Sequence, residues 1–208
     1  MKKLLLAAAG AALVAAPATA AVTVLTFEGI GNLNPVGAFY APDYIFSPAT
    51  LAIVDADAGG SGNFANEPSP NTIMFFLDAN NAILDVPAGF TTGFSFWYTS
   101  SVAASVTVYD GPGATGNVLA TLNLVAQAFG CPGDPTGAFA CWSPVGVTFS
   151  GTAFSIDFGG TANQTGFDNI TFGSANPRVP EPGVWAMLIA GFGLVGHAAR
   201  RRRTALAA

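Results

Sequence analysis

Ala153-Phe154-Ser155-Ile156-Asp157-Phe158 alternates large apolar side chains with small or polar ones at a period of two. That period buries one face of an extended strand and leaves the other wet, the habit of antiparallel sheets. Just upstream, Val145-Gly146-Val147-Thr148-Phe149 repeats the pattern. Working outward, short runs rich in Val, Ile, Phe, Tyr and Thr predict further strands at 22–27, 71–77, 94–99, 105–109, 118–125 and 167–172. Asp110-Gly111-Pro112-Gly113 reads as a hairpin loop, and Gly151-Thr152 joins two more strands. No amphipathic helix of three turns interrupts them. The expectation is an all-β chain, an antiparallel β-sandwich of jelly-roll type. Residues 58–70, rich in Gly, Ser, Asn and Pro, predict one long loop.

Composition agrees with strands. Of 208 residues, 25 are Gly, 14 are Pro and only 9% are charged, a poor mixture for helices. Hydrophobic residues make up 51%, too many for a disordered chain. The charge distribution is more informative than the net −5. Residues 4–177 contain no Lys, Arg or His, yet hold eleven of the twelve acids. Such a stretch cannot neutralise a phosphate backbone, so nucleic acid is excluded as a partner. Ser-His-Asp and Cys-His catalysis are excluded too, because the single histidine is His197.

The two ends are built differently. Lys2 and Lys3 precede an apolar run, and Pro17-Ala18-Thr19-Ala20 ends in a small-x-small context. This is the layout of a secretory signal peptide over residues 1–20, cut after Ala20. The expected ectodomain spans 21–173 and a linker 174–179. At the other end, Pro180-Glu181-Pro182 precedes residues 183–199, which are apolar apart from His197. That segment is at the lower limit for a spanning helix, and Trp185 sits at interfacial depth. Arg200, Arg201, Arg202 and Arg203 follow and would stay on the cytoplasmic side.

The order Pro180-Glu181-Pro182-Gly183-Val184-Trp185-Ala186-Met187, a Gly191-Phe192-Gly193 core and the arginine cluster closely resembles the PEP-CTERM sorting signal. The resemblance covers 180–208. It implies export through the inner membrane of a Gram-negative bacterium, anchoring by the C-terminal helix, and processing near Pro180, Glu181 and Pro182 by an exosortase. It also implies a final place at the cell surface or in the extracellular matrix, with extracellular polysaccharide or biofilm as the company kept. The resulting expectation is a non-enzymatic exported protein. A carbohydrate-binding module proper and a secreted carboxylate-dependent glycoside hydrolase are the alternatives.

Within the ectodomain, Leu25-Thr26-Phe27-Glu28-Gly29 and Phe167-Asp168-Asn169-Ile170-Thr171-Phe172 resemble the first and last strands of exported jelly-roll modules of the galactose-binding or carbohydrate-binding type. The resemblance implies that these strands are neighbours and that Glu28 and Asp168 hold a structural calcium. Asp168 shares parity with Ile170 and Phe172, which points it toward the core, where no Lys or Arg can neutralise it. Asp55 and Asp57, followed by Gly59-Gly60, form a second candidate calcium site without the closing Glu of an EF-hand. The competing reading of all these acids is a solvated, soluble surface. Cys131 and Cys141, the only cysteines, predict a disulfide in an exported chain. Trp97 and Trp142 are the candidate sugar-stacking aromatics, against the alternative of ordinary packing. Tyr40, Tyr44, Tyr98 and Tyr109 are further surface candidates. A hydrolase would need two carboxylates at a set separation, and no pair is marked by its context.

Overall fold

A computed structural model describes residues 22–132 and 137–177, together with Phe192. The signal peptide, Pro180, Glu181, Pro182, most of the apolar segment 183–199 and the four C-terminal arginines lie outside the described residues. Among the described residues no helix is long and apolar enough to cross a membrane.

The described chain is an antiparallel β-sandwich, as the alternation predicts. One sheet runs β3 (Leu51–Val54), β4 (Thr72–Phe75), β11 (Thr165–Phe172), β6 (Phe94–Ser100), β9 (Ser143–Val147), with β1 (Thr23–Leu25) also on β11. The other runs β2 (Ile45–Phe46), β5 (Asn81–Phe90), β10 (Ala153–Gly159), β7 (Ala104–Tyr109), β8 (Val118–Leu124). The expected neighbourhood of first and last strands is present: Thr23 pairs with Phe172 and Leu25 with Ile170. The Asp110–Gly113 turn joins the hairpin β7–β8, and Asp110 Oδ1 accepts from the Asn117 amide at 2.6 Å to close it. Gly151-Thr152 instead carries the chain from one sheet to the other, since β9 and β10 belong to different sheets.

Alternation puts Ile156 and Phe158 of β10 inside, facing Phe94 and Phe96 of β6 and Phe167 of β11, all with no exposed surface. The Phe158 ring meets Phe167 at 5.1 Å and Phe96 at 5.7 Å, both edge-on, the arrangement that ring quadrupoles favour. Tyr98 belongs to this core, with its hydroxyl donating to Val125 O at 3.2 Å, so it is not a surface aromatic. Tyr40 and Tyr44 are half-buried against the same cluster.

The larger sheet carries a second, thinner apolar layer on its outer face. Ile73 and Phe75 of β4 point there, and the predicted loop 58–70 covers them with Phe64 and Ala65, each 3% exposed. The loop is tied to the segment around Cys131 and Cys141. Trp142 Nε1 donates to Ala65 O at 3.0 Å, and Asn66 Nδ2 donates to Ala140 O at 3.1 Å. The expected disulfide Cys131–Cys141 is formed, with Phe129 and Phe139 in ring contact at 5.7 Å beside it.

Candidate functional site

Strand β11 has β6 on one side and two strands in succession on the other. β4 covers Gly166 and Phe167; β1 covers Ile170 to Phe172. Between those two partners the ladder is broken, and Asp168 sits at the break. The break coincides with a bulge. Asp168 pairs with Trp97 and Thr171 with Ser95, so β11 carries one extra residue, and Asn169 takes it up at φ 48°. The bulge changes the parity read from the sequence. Phe167, Ile170 and Phe172 all enter the core, and Asp168 turns to the opposite face, beside Trp97. It is nonetheless fully buried, because the end of the 58–70 loop roofs it.

Ser69 is the centre of that roof. Its amide donates to Asp168 Oδ2 at 2.7 Å, and its hydroxyl lies 2.9 Å from Asp168 Oδ1, which also accepts from the Asn169 amide at 2.6 Å. Glu28 enters from beyond β1, past Phe27 at φ 64°, and accepts from the amides of Asn71 and Thr72 at 3.0 and 2.8 Å. Its Oε1 is 3.2 Å from the same Ser69 hydroxyl. The strand break also leaves the carbonyls of Thr26 and Thr72 turned inward, 3.1 and 3.2 Å from that hydroxyl. Four acceptor oxygens thus surround one oxygen that carries a single proton. A hydroxyl donates one hydrogen bond, so the cluster is short of positive charge.

The electrostatics agree. Burial pushes the Asp168 carboxyl up to about 7, the Glu28 charge adds to this, and hydrogen bonds from Ser69 and Asn169 oppose it. Burial also raises the Tyr40 phenol, with the charges of Asp168 and Glu28 adding; its oxygen accepts from the Phe27 amide at 2.7 Å. Glu67 is raised by burial and then by Asp55, Glu28 and Asp57. Two carboxylates and two carbonyls converging with a hydroxyl are a hard-oxygen set of the kind that Ca²⁺ accepts. Among the described residues no three acidic, His or Cys side chains converge on one point, so carbonyls would supply the remaining ligands.

Asp55 and Asp57 do not join this cluster. Asp55 is 8% exposed, and its backbone closes a tight loop by accepting from the amides of Ala58 and Gly60. Its Oδ1 is buried without a hydrogen-bond partner. Trp97 is half-buried across the ladder from Asp168, between it and Pro144. Trp142 is half-buried as well, with its indole N–H already used by Ala65. Its ring edge reaches the place where a Cβ on Gly166 would stand.

Beside Trp142 lies a cleft lined by the rings of Phe64 and Phe139, by Ile73 and Phe75, and by Thr99 and Asn163. It encloses about 30 Å³, room for one small group. Thr99 is 1% exposed and its hydroxyl has no partner. Sequence reading misses this cleft and Ser69 alike. Thr99 looks like any strand threonine, and Ser69 lies in a Pro-rich loop without a motif.

One stretch of the chain matches a known family model. Residues 178–203 carry the PEP-CTERM protein-sorting motif. The motif indicates an exported protein with a C-terminal anchor, sorted by an exosortase. No curated protein matches the chain. Among solved structures, a glycoside hydrolase family 43 arabinoxylan arabinofuranohydrolase from Bacillus subtilis, in complex with cellotetraose, is 19% identical with a TM-score of 0.38. The match covers 69% of this chain and spans only 28% of that enzyme. A carbohydrate-binding module of Cellvibrio mixtus lichenase 5A, in complex with cellotriose, is 15% identical over 60% of this chain and 86% of its own, at TM-score 0.33. The module TmCBM61, in complex with β-1,4-galactotriose, is 14% identical over 68% of this chain and 97% of its own, at TM-score 0.38.

Proposed function

We propose that the protein is a non-enzymatic cell-surface or extracellular-matrix protein that associates with extracellular polysaccharide. The observation that carries this reading is the PEP-CTERM motif at 178–203, placed directly after a sandwich whose last strand ends at Phe172. The sandwich supports a binding rather than a catalytic role. Its two most constrained carboxylates, Glu28 and Asp168, are occupied in holding the 58–70 loop to the sheet. We assign this pair, with the carbonyls of Thr26 and Thr72, to a structural calcium ion that would balance the oxygen cluster around Ser69.

The second reading, a dedicated carbohydrate-binding module, is favoured by the cleft beside Trp142. Its Phe139 ring is part-exposed, and the buried Thr99 hydroxyl lacks a partner that a sugar hydroxyl would supply.

The deciding experiment is the intact mass of the protein recovered from the cell surface and the medium, with thiols blocked but not reduced. The expected mass runs from Ala21 to a cut near Pro180. Replacing Pro180, Glu181 and Pro182 by alanines should abolish that cut. Recovery of Arg200 to Arg203 in the surface-bound wild type would overturn processing and leave a plain membrane anchor. Polysaccharide from the same cells should then retain the wild-type chain and release the Phe139→Ala variant, which removes a ring that lines the cleft; equal retention of both would sink the cleft as the contact.

A further inference from the structure

The cleft beside Trp142 has no ionisable group in its lining. Thr99 and Thr165 line it from the buried side, and Asn63 and Asn163 stand exposed at its rim. The Thr165 hydroxyl is 2.9 Å from that of Ser100, but the Thr99 hydroxyl is buried with no partner. Left so, it costs stability, and a ligand that pairs it removes that cost. The walls between are apolar: Ile53, Ile73, Phe75 and the part-exposed ring of Phe139. Gly166 keeps the floor open. A Cβ there would stand 2.8 Å from Ile73 Cδ1 and 3.4 Å from Thr99 Cγ2.

What fits such a space is small, uncharged and polar at its tip. About 30 Å³ admits one such group and not a whole sugar ring. The apolar walls match carbon and hydrogen, and the Thr99 hydroxyl beyond them matches a second hydroxyl. A hydroxymethyl group supplies both. A carboxylate of similar size does not suit. Residues 4–177 contain no Lys, Arg or His and hold eleven acids. An anion entering here would lose its water with no cation to balance it, after crossing a field of its own sign.

We propose, resting on the carbohydrate-binding reading above, that the cleft takes the exocyclic hydroxymethyl group of a neutral hexopyranose. Its carbon packs against the Phe139 ring and the aliphatic walls, and its hydroxyl pairs with Thr99. The sugar ring stays outside, beside Asn63 and Asn163. The polysaccharide that this sandwich holds is therefore built of neutral hexoses. Uronic acids are rejected by their charge. Pentopyranoses and 6-deoxy sugars are disfavoured because they leave the Thr99 hydroxyl unpaired.

Methyl glycosides that differ only in this exocyclic group test the proposal on the purified full chain, with its disulfide intact and in chelator. The group is hydroxymethyl, methyl, hydrogen or carboxylate, in the gluco, galacto and manno series. Binding is read by saturation-transfer NMR and titration. In at least one series the hydroxymethyl sugar should bind tightest, methyl and hydrogen several-fold more weakly, and the carboxylate not at all. Thr99→Val should bring the hydroxymethyl and methyl sugars to equal affinity, and Phe139→Ala should weaken both several-fold. A carboxylate sugar bound as tightly as its hydroxymethyl counterpart, or a preference that survives Thr99→Val, would overturn the proposal. Binding unchanged in Phe139→Ala would overturn the cleft as the site while leaving the carbohydrate-binding reading in place. No binding by any sugar in any series would overturn that reading as well.

Discussion

The amide of Ser69 donates to Oδ2 of Asp168 at 2.7 Å, joining residues 99 positions apart at the break between β1 and β4. This contact sets the 58–70 loop on the sheet, and it does so by burying a carboxylate with no cation from the chain. Calcium at the site should therefore raise the melting temperature. At one hundred times its dissociation constant the gain would be about 2.7 kcal/mol. Asp168→Asn should remove the gain. Equal melting of the wild type with calcium and with chelator would refute the assignment.

The metal-free protein should show an inverted acid response at this residue. In the folded chain the Asp168 carboxyl is raised from 3.8 to about 7, so between those values the folded state holds a proton that the unfolded state has lost. Stability from this group is present at low pH and falls as pH rises through that window, by on the order of 4 kcal/mol at most. In chelator, the wild type should lose more stability than Asp168→Asn between pH 5 and pH 8. Parallel pH curves for the two would contradict this.

Thr99→Val should leave stability unchanged or raise it by about 1 kcal/mol, because the hydroxyl is buried without a partner and valine keeps the shape. The same variant should weaken polysaccharide retention if the cleft is the contact. Denaturant titration and retention are read on one preparation.

The bulge at Asn169 should discriminate between side chains. Its φ of 48° suits Asn and Gly and strains a β-branched residue. Asn169→Gly should be close to neutral by chemical denaturation, and Asn169→Val should cost about 1–2 kcal/mol.

Replacing Cys131 and Cys141 together by serine should cost ~3 kcal/mol in the chain-entropy account of a short loop. The Cys141 side chain is also 8% exposed, and its sulfur lies 3.2 Å from Phe129 O, so some packing is lost as well. Heating curves with and without reductant give the same comparison in the wild type.

Much of the architecture is legible from alternation. Ile156 and Phe158, Val106 and Val108, Phe94 and Phe96 all read inward and are inward. Strand β5 is hidden because Ile83 makes Ala82-Ile83-Leu84 a continuous apolar run and Pro87 looks like a breaker. The proline is tolerated because it lies between Asp85 and Phe90, where the ladder to β10 shifts register. The partnership of Glu28 with Asp168 is visible in the motifs at the two ends of the domain. The direction of Asp168 is not, since one extra residue at Asn169 reverses the parity of every side chain before it. Ser69 and Thr99 matter through position alone, and position comes from the folded sheet.

Pairing the first strand with the last also fixes a timetable. β1 begins at Thr23, and its ladder partner β11 ends at Phe172, shortly before the sorting motif at 178. β1, β4 and β6 all pair with β11, so none of these three ladders can form until nearly the whole sandwich has been made. The larger sheet can close only after every strand of the smaller one exists, through contacts distant in sequence.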